Sequence, residues 1–387
     1  MLYNTDKSNQ FNILRRIFMG KIDVAAYVWP AYTGDEGRTR IFWPEGMGEW
    51  ETVRDAKPRY EGHLWPRKPL WGYVNEADPY VMEMEIEAAT DHGVNVFIYD
   101  WYWYDDRPFL EQCLNDGFLK AKNRSKMKFY LMWANHDVTY GWDRRIAHLD
   151  RTTNIWTGSV NNEQFRKIGK RWIEKYFTLP EYYKIDNKPV LSIYDLQNFI
   201  DGLGGVESAK KEMEWLNEEA KKSGLDGVHL QYVKFGKIKT NISGFDGGVT
   251  TYDPSEVIKL MPFSSLTHYQ YCHFTNMNRD YADIVETAKV EWKWIADNYN
   301  IPYCPHVSIG WDNTPRYKTG ANHIVKNNTP EEFEKALVLA KELAEKTNVG
   351  LVTINSWNEW TETSYLQPDD LYGYGYLEAV KKVFKDK

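Results

Sequence analysis

The sequence contains little cysteine, and its three cysteines lie far apart. Cys113, Cys272 and Cys304 are odd in number and show no close spacing, so they predict neither a disulfide framework nor a cysteine-rich metal site. The nine histidines contain no H-E-x-x-H pattern and no other ligand spacing. We therefore expect no bound metal, and the sequence implies no cofactor.

Long apolar runs and an excess of basic charge are also missing. No run approaches the roughly 20 apolar residues that span a bilayer, which argues against membrane insertion. Residues 1–20 lack the apolar core of a signal peptide, so we expect a cytoplasmic protein, or a periplasmic or secreted one if a leader has been removed. The net charge of −7 argues against a nucleic-acid partner, because nucleic-acid-binding surfaces are normally basic.

Three catalytic signatures are absent from the sequence. No glycine-rich phosphate loop follows a predicted strand, which disfavours a dinucleotide-binding fold. No G-x-S-x-G segment occurs, so a serine hydrolase is unsupported. The D-x-D pair that holds a metal-bound sugar nucleotide in many glycosyltransferases is missing as well.

Aromatic residues, by contrast, are abundant. The 17 Trp and 27 Tyr of the 387 residues exceed what packing usually requires. These side chains combine an apolar face with a polar group, which suits half-exposed ligand clefts. Stacking of this kind serves both glycans and single-stranded RNA, and the negative net charge favours glycans.

Predicted strands alternate with predicted helices along the whole chain. Apolar, β-branched runs predict eight strands, at residues 24–28, 94–99, 128–133, 189–194, 228–232, 248–251, 303–309 and from 351. Helices are predicted between them, including segments near 78–93, 108–121, 163–177, 206–222, 281–298 and after Thr329. This alternation predicts an α/β fold, a single (β/α)8 TIM barrel with long aromatic-rich loops. Residues 1–387 then form one domain, with residues 1–20 as an N-terminal extension.

Polar and aromatic residues follow the predicted strands. In a (β/α)8 barrel the loops after the strands converge on one face, where the active site lies. We therefore expect that face to bind an oligosaccharide or polysaccharide. The predicted substrate-binding residues are Tyr27, Trp29, Tyr99, Asp100, Trp101, Trp103, Asn135, Asp137, Tyr194, Tyr252, Trp311, Asp312, Asn313, Arg316, Trp357 and Asn358. An alternative for Asp312, Asn313 and Arg316 is a loop brace that stabilises itself.

The most informative stretch is residues 350–368, GLVTINSWNEWTETSYLQP. It begins as a buried strand and then places two carboxylates, Glu359 and Glu362, three residues apart beside Trp357 and Trp360. Glycoside cleavage uses two carboxyl groups, one that handles a hydroxyl or water and one that protonates the leaving oxygen. Glu359 and Glu362 are therefore the predicted catalytic residues.

Six segments together resemble a known family. YVWPAY (27–32), YDWYWYD (99–105), LMWANHD (131–137), KPVLSIYD (188–195), GWDNTPR (310–316) and NSWNEWTE (355–362) resemble the WbsX-type proteins, which belong with glycoside hydrolase family 99. That family contains endo-α-mannosidases and endo-α-mannanases. The resemblance spans nearly the whole chain and implies a (β/α)8 barrel.

The resemblance also implies a retaining mechanism without an enzymic nucleophile. Glu359 would deprotonate the 2-hydroxyl of the sugar, which attacks the anomeric carbon and forms a 1,2-anhydro sugar. Glu362 would protonate the leaving oxygen and then activate water. Three positions depart from the family pattern: Thr363 stands where the mannosidases carry glycine, Gln367 where a glutamate is expected, and His136 where an acidic residue is usual.

Two other functions stay open at this point. The WbsX group has been described in surface polysaccharide synthesis, so a glycosyltransferase or polysaccharide-assembly enzyme is one alternative. A barrel that binds glycans without turning them over is another. The expected substrate of the hydrolase is an α-mannose-containing or related glycan, cleaved internally.

Overall fold

Eight parallel strands form a nearly closed barrel in the computed structural model, which describes residues 21–65, 67–242, 249–317 and 323–386. The expected N-terminal extension, residues 1–20, lies outside the described residues. We label the barrel strands β1 to β8 in chain order. They are Asp23–Val28, Val96–Tyr104, Lys128–Trp133, Lys188–Ile193, His229–Val233, Ser265–Thr267, His306–Ser308 and Leu351–Asn355.

The order of the strands around the barrel is their order in the chain, which is the arrangement of a TIM barrel. Every neighbouring pair from β1 to β6 is parallel, and so are the pairs β7–β8 and β8–β1. Between β6 and β7 a single bridge joins Leu266 to Tyr303. The Cys304 amide donates to the Leu266 carbonyl at 2.8 Å and closes the circle there.

Helices follow most of the strands, and their caps match the sequence signals. The Asp78 side chain caps the helix that Pro79 begins, and Thr329 does the same for the helix that begins at Pro330. The described α-helices, labelled α1 to α9, are Trp50–Arg54, Pro79–Asp91, Asn162–Trp172, Leu196–Gly202, Val206–Lys222, Pro254–Ile258, Tyr281–Asn298, Pro330–Thr347 and Gly375–Phe384.

Short strands and tight turns fill the connections. The short strands are Arg107–Phe109, Val138–Thr139, Asn154–Trp156, Lys184–Ile185, Ile238–Thr240, Thr250–Tyr252, Asn358–Glu359 and Ser364–Tyr365. The 3-10 and π turns are Gly37–Ile41, Cys113–Gly117, Phe118–Lys120, Arg124–Lys126, Tyr140–Trp142, Ile173–Phe177, Tyr271–His273 and Trp360–Glu362. In the described part of the chain, no helix has both the length and the apolar character needed to cross a membrane.

The barrel prediction is confirmed, but the predicted sixth strand is wrong. Gly248 lies outside the described residues, and Thr250–Tyr252 pairs antiparallel with Ile238–Thr240 in a hairpin outside the barrel. The sixth barrel strand is Ser265–Thr267, which pairs parallel with β5. Only three residues of β6 pair in this way, so the segment carries too short an apolar pattern to be recognised.

The predicted helix at residues 108–121 is confirmed only in its second half, and not as a regular α-helix. Arg107–Phe109 forms a short strand that turns back on β2, and Cys113–Gly117 and Phe118–Lys120 then form a π-helix and a 3-10 helix. Leu110 has a φ of 58°, a left-handed conformation that interrupts any helix there. The connection after β2 is therefore irregular.

A buried polar layer lies inside the barrel around Gln231 of β5. Its side-chain oxygen accepts hydrogen bonds from the Ser192 hydroxyl at 2.7 Å and the Tyr130 hydroxyl at 3.2 Å. Its amide nitrogen donates to the Ser265 hydroxyl at 3.3 Å. Gln231 thus links strands β3, β4, β5 and β6, including the short strand that the sequence pattern does not reveal. Buried polar groups need such partners, because leaving one unpaired costs roughly 1–3 kcal/mol.

We predict that Gln231→Met lowers the free energy of unfolding by about 2 kcal/mol or more, because the buried Ser192 and Tyr130 hydroxyls lose their acceptor while the side-chain volume is kept. Urea titration followed by tryptophan fluorescence measures the change. Lys211→Met, on the exposed face of α5, controls for the added methionine. Equal midpoints for the two variants would contradict a stabilising role for this layer.

Candidate active site

The loop after β8 carries both predicted catalytic glutamates on one turn. Asn358–Glu359 pairs antiparallel with Ser364–Tyr365, and the 3-10 turn Trp360–Glu362 lies between them. The Ser356 hydroxyl accepts the Glu359 amide at 2.7 Å and donates to the Ser364 carbonyl at 2.6 Å. Glu359 and Glu362 are only 3% and 8% exposed. The turn therefore presents two buried carboxyl groups from one rigid loop.

One arginine holds both glutamates. Arg316, in the loop after β7, donates from Nη1 to Glu362 at 2.6 Å and from Nη2 to Glu359 at 3.4 Å. Its Nε donates to Glu49 at 3.0 Å, and Glu49 also accepts the Trp29 indole N–H at 2.6 Å. A buried charge is stable only when it is paired in this way. Arg316 therefore joins the loops that follow β1, β7 and β8.

Asp100 and Tyr269 complete the acidic centre from the other side. The Tyr269 hydroxyl lies 2.8 Å from Glu359 Oε1 and 3.0 Å from Asp100 Oδ2. Tyr269 follows β6, and Asp100 lies on β2. The site thus collects side chains from opposite sides of the barrel at the carboxyl ends of the strands, where active sites of this fold lie.

Burial dominates the ionisation of these carboxyl groups. Burial raises the pKa of Glu362, although the Arg316 guanidinium opposes the change. Burial and the neighbouring Glu362 charge raise the pKa of Glu359 well above its usual range. Burial likewise raises the pKa of Asp100 well above its usual range. A raised pKa keeps a carboxyl group protonated closer to neutral pH, as a general acid requires.

A cavity of about 110 Å³ opens against these groups. On this scale one water needs roughly 10–15 Å³, so the space holds several waters or part of a sugar ring. Glu362 Oε2 and Asp100 Oδ1 have no hydrogen-bond partner in the structure. The lining residues are Trp29, Asp100, Tyr102, Met132, Ala134, His136, Trp142, Tyr194, Tyr269, Arg316, Glu359 and Glu362.

The structure brings six of the predicted site residues together at this cavity: Trp29, Asp100, Tyr194, Arg316, Glu359 and Glu362. Trp29 and Tyr194 offer aromatic surfaces, and the Tyr194 hydroxyl lies 3.3 Å from His273 Nε2. The two glutamates and Arg316 form the charged wall described above. The described residues contain no cluster of three or more His, Cys, Asp or Glu side chains that could hold a metal ion.

Three predicted residues of β2 point away from the cavity. Strand β2 continues to Tyr104, so its side chains alternate between the two faces up to that residue. Asp100 and Tyr102 point inward. Tyr99 points outward and packs on Phe118 and Phe129. Trp101 also points outward, and its indole donates to Glu111 at 2.8 Å. Trp103 stacks on Trp101 on the same outer face.

Four predicted residues brace neighbouring loops. Asn135 exchanges two hydrogen bonds of 2.8 Å with the Asp195 backbone. Asp137 accepts from the Gly158 amide at 2.8 Å and the Asn154 side chain at 2.6 Å. Asp312 binds His63 at 2.7 Å, and the carbonyl of Asn313 accepts the Arg316 amide at 3.1 Å.

The remaining predicted residues lie behind or beside the cavity. Tyr27 is fully buried in the barrel and donates to the His268 carbonyl at 3.0 Å. Trp357 donates to Glu85 at 2.8 Å, and Asn358 accepts the Trp29 amide at 2.7 Å. Tyr252 lies in the outer hairpin, and Trp311 is half-buried beside the cavity-lining Arg316 loop.

Several lining residues escaped the sequence reasoning. Tyr269 was missed because the sixth strand was assigned to the wrong segment. Tyr102 was missed because β2 was ended at Tyr99, and continued alternation along the strand would have identified it. Trp142 lines the cavity, and Glu49 lies behind it; both come from long loops with no periodic signal. His136 also lines the cavity, and burial lowers its pKa.

Two departures from the family pattern lie behind the cavity. Thr363 has a φ of 55°, a left-handed conformation that favours glycine. Its hydroxyl donates to the Asp312 carbonyl at 3.0 Å and accepts the Trp65 indole N–H at 2.9 Å, which ties the catalytic turn to two other loops. Gln367 donates to Glu76 at 3.0 Å.

A second pair of buried carboxyl groups supports the catalytic turn from behind. Glu76 accepts from Asn358 at 2.8 Å as well as from Gln367, and Glu85 accepts from Trp357. Both glutamates are fully buried. Burial raises the pKa of Glu76 to about 7, and burial together with the charge of Glu76 raises that of Glu85. The charge of Glu76 thus couples the ionisation of the two carboxyl groups.

The fold and the site define a (β/α)8 barrel with a buried pair of carboxyl groups at the carboxyl ends of its strands. The family model described as Glycosyltransferase WbsX matches residues 25–380. The chain belongs to this family.

Solved structures share the fold at low identity. The GH99 endo-alpha-mannosidase from Bacteroides thetaiotaomicron superposes with a TM-score of 0.57 at 15% identity, covering 93% of this chain and 95% of that one. A glycoside hydrolase-like protein superposes with a TM-score of 0.60 at 14% identity, covering 95% of each chain. These likenesses establish the fold.

Among curated sequences, the chain is similar to the uncharacterized protein WxcX of two strains of Xanthomonas campestris pv. campestris. The identity is 26% over 347 residues, which cover 88% of this chain. The chain spans only 46% of the length of these relatives.

We predict that the Glu76 pair makes stability depend on pH. The folded-state pKa of Glu76, about 7, exceeds the ordinary value of 4.5. Folding therefore gains most from this group at low pH, and the free energy of unfolding falls by about 1.4 kcal/mol per pH unit as pH rises from about 4.5 to about 7. Urea titrations across that range should show a smaller slope for Glu76→Gln than for the wild type.

The exposed substitution Glu214→Gln is the control, since it removes a carboxyl group outside the pair. Glu76→Gln also lowers stability by a contribution unrelated to titration, because an amide nitrogen replaces one of the two oxygens that accept from the Asn358 and Gln367 amides. The slope is therefore the informative quantity. Parallel pH profiles for the wild type and Glu76→Gln would contradict the raised pKa of this pair.

Proposed function

We propose that this protein is a glycoside hydrolase that uses Glu359 and Glu362 as its catalytic pair. The observation that carries the proposal is the arrangement of the two carboxyl groups on one turn, both buried, both bonded to Arg316 and both lining one cavity. Glycoside cleavage requires two carboxyl groups on either side of the scissile bond. The unpaired Glu362 Oε2 provides a group that is free to meet a glycosidic oxygen.

The proposed first step forms an anhydro sugar within the substrate. Glu359 takes the proton of the 2-hydroxyl, and that oxygen forms a bond to the anomeric carbon. The bond from the anomeric carbon to the leaving oxygen breaks at the same time, and Glu362 gives its proton to that oxygen. The raised pKa of Glu362 supports its role as the acid, because burial outweighs the opposing Arg316 charge.

The proposed second step restores both carboxyl groups. Glu362, now ionised, takes a proton from water, and the water oxygen attacks the anomeric carbon. The bond to the 2-oxygen breaks, and Glu359 returns its proton to that oxygen. Two displacements at one carbon retain the anomeric configuration, and no covalent bond to the protein forms.

We further propose that the substrate is an α-mannose-containing or related glycan, cleaved internally. The aromatic walls Trp29, Trp142 and Tyr194 of the cavity suit the C–H faces of a sugar ring. The fold is shared with the GH99 endo-alpha-mannosidase from Bacteroides thetaiotaomicron, and the turn after β8 carries the N-E-W-x-E pattern of the resembling family. These features support a polysaccharide or oligosaccharide as the partner of this site.

A transferase of the polysaccharide-assembly type is the second candidate. The description of the family as glycosyltransferases is the observation that favours it. In that reaction a sugar hydroxyl replaces water as the acceptor in the second step. Thermal stabilisation of the protein by a nucleotide sugar would support this candidate, and stabilisation by oligosaccharide alone would support the hydrolase.

We predict that the wild type releases product from at least one glycan in a panel of α-mannans and other α-linked glycans, with retained anomeric configuration read by NMR. Glu362→Gln should lower kcat by about 100-fold or more, because it loses the acid while its amide oxygen still accepts from Arg316. Glu342→Gln, an exposed substitution on α8, should leave kcat unchanged.

Two results would contradict the hydrolase. One is the absence of turnover on every glycan of the panel while oligosaccharide binding is equal in the wild type and Glu362→Gln. The other is product of inverted configuration, because inversion requires a single displacement at the anomeric carbon.

A further inference from the structure

The Tyr269 hydroxyl has two carboxyl partners but one hydrogen. It lies 3.0 Å from Asp100 Oδ2 and 2.8 Å from Glu359 Oε1, and both distances are those of O–H···O hydrogen bonds. Tyr269 can donate to only one of them. If both carboxyl groups were ionised, the other contact would join two acceptors with no hydrogen between them. A second hydrogen must therefore lie on Asp100 or on Glu359.

The surroundings of the two carboxyl groups distinguish them. Glu359 receives a hydrogen bond from the charged Arg316 guanidinium at 3.4 Å. Asp100 forms no ion pair among the described residues, and its Oδ1 has no hydrogen-bond partner. It is only 3% exposed. A buried, ionised carboxylate with one unpartnered oxygen is costly, whereas a neutral acid in the same place is tolerated.

The other groups around Asp100 do not reverse this preference. The titratable side chains that line the cavity with it are Tyr102, His136, Tyr194, Glu359 and Glu362, together with Tyr269. Burial lowers the pKa of His136, so the imidazole is neutral and gives no positive charge to Asp100. Glu362 gives Asp100 no compensating positive charge, and whenever Glu362 is ionised its negative charge further disfavours ionised Asp100. The one guanidinium of the cavity is already shared by three glutamates.

We propose that Asp100 is a positioning residue that stays a neutral carboxylic acid and acts on Glu359 through Tyr269. Asp100 donates its hydrogen to the Tyr269 oxygen, and Tyr269 donates its own hydrogen to Glu359 Oε1. This directional chain supplies a donor to Glu359 Oε1 and, together with Arg316, opposes the burial that raises the pKa of Glu359. It thereby favours the ionised, oriented state that the proposed function requires of a base. Neutral carboxylic acids serve as hydrogen-bond donors in the same way in other active sites.

The chain has a consequence for the pH dependence of the reaction. When Asp100 ionises at high pH, both neighbours of the Tyr269 hydroxyl are carboxylates, and its one hydrogen is shared between them. The hydrogen bond from Tyr269 to Glu359 is then made only part of the time. The wild type should therefore have an alkaline limb that reports Asp100. Asn at this position donates to Tyr269 from its amide at any pH and cannot ionise, so the alkaline limb of Asp100→Asn should report Glu362 alone and lie at a different pH from that of the wild type.

The first test needs no substrate. Infrared difference spectra of wild type minus Asp100→Asn, recorded at neutral pH, should contain the carbonyl band of a protonated carboxylic acid. When the same Asp100→Asn difference is recorded in a Tyr269→Phe background, the band should lie at a shifted frequency, because the hydroxyl that accepts the Asp100 hydrogen is gone. A difference spectrum with only carboxylate bands would show that Asp100 is ionised and would overturn the proposal.

The second test follows activity in two variants, Asp100→Ala and Asp100→Asn. Asp100→Ala has no donor for Tyr269 and should lose at least about tenfold more kcat than Asp100→Asn, the factor that one unit in the Glu359 pKa represents. Both should change kcat more than KM. A rise in KM with unchanged kcat and an unchanged pH profile would show that Asp100 binds only a sugar hydroxyl, and would overturn the positioning role.

The two tests separate this inference from the proposed function. A protonated Asp100 in the infrared spectrum, together with no turnover of any glycan, would retain the proton assignment and reject the hydrolase. Turnover of a glycan with an ionised Asp100 would retain the hydrolase and reject the neutral acid. Circular dichroism of each variant verifies that it is folded before either result is used.

Discussion

The contact on which the active site depends is the buried guanidinium of Arg316. It bonds to Glu49, Glu359 and Glu362, which come from the loops after β1 and β8, while Arg316 itself comes from the loop after β7. Three carboxyl groups so close together repel one another in a medium of low dielectric constant, and a shared cation offsets that repulsion. The fold therefore does not merely hold the two glutamates of the proposed catalytic pair. It brings together the acids and the charge that allows them to be buried.

A layer of neutral hydrogen bonds fixes the same turn from behind. Asn358 binds the Trp29 backbone through both its oxygen and its amide, and the same amide donates to Glu76. Trp357 and Gln367 are tied to the buried pair of Glu85 and Glu76. Catalytic groups must be held to within about 0.5 Å of their working position. The buried hydrogen bonds of Trp357, Asn358 and Gln367 thus restrict the side-chain rotamers of the residues beside Glu359 and Glu362.

The barrel prediction is confirmed, and the sequence also places Glu359 and Glu362 together after β8, because both features are local signals. The turn after β8 is one contiguous segment, so Glu359 and Glu362 can be recognised together. The aromatic residues were harder, because their role depends on where a strand ends. Ending β2 at Tyr99 selects Trp101 and Trp103 as site residues, whereas the real strand alternates on to Tyr104 and turns both of them outward. Tyr269 follows a strand of three residues, and only the pairing of that strand with β5 reveals it. Long-range contacts of this kind leave no periodic trace in the sequence.

The charge of the cavity bears on the choice between hydrolysis and transfer. Asp100, Glu359 and Glu362 line it, Glu49 lies directly behind, and Arg316 is already bonded to three of these four acids. The diphosphate of a nucleotide sugar would bring further negative charge to this place, and proteins usually meet such a group with free arginine, lysine or backbone N–H donors. A neutral glycan brings no such charge and has hydroxyl donors for the unpaired oxygens of Glu362 and Asp100. If this family also transfers sugars, a donor that is itself a neutral glycan fits the cavity better than a nucleotide sugar, and the outcome then depends on whether water or a sugar hydroxyl reaches the anomeric carbon.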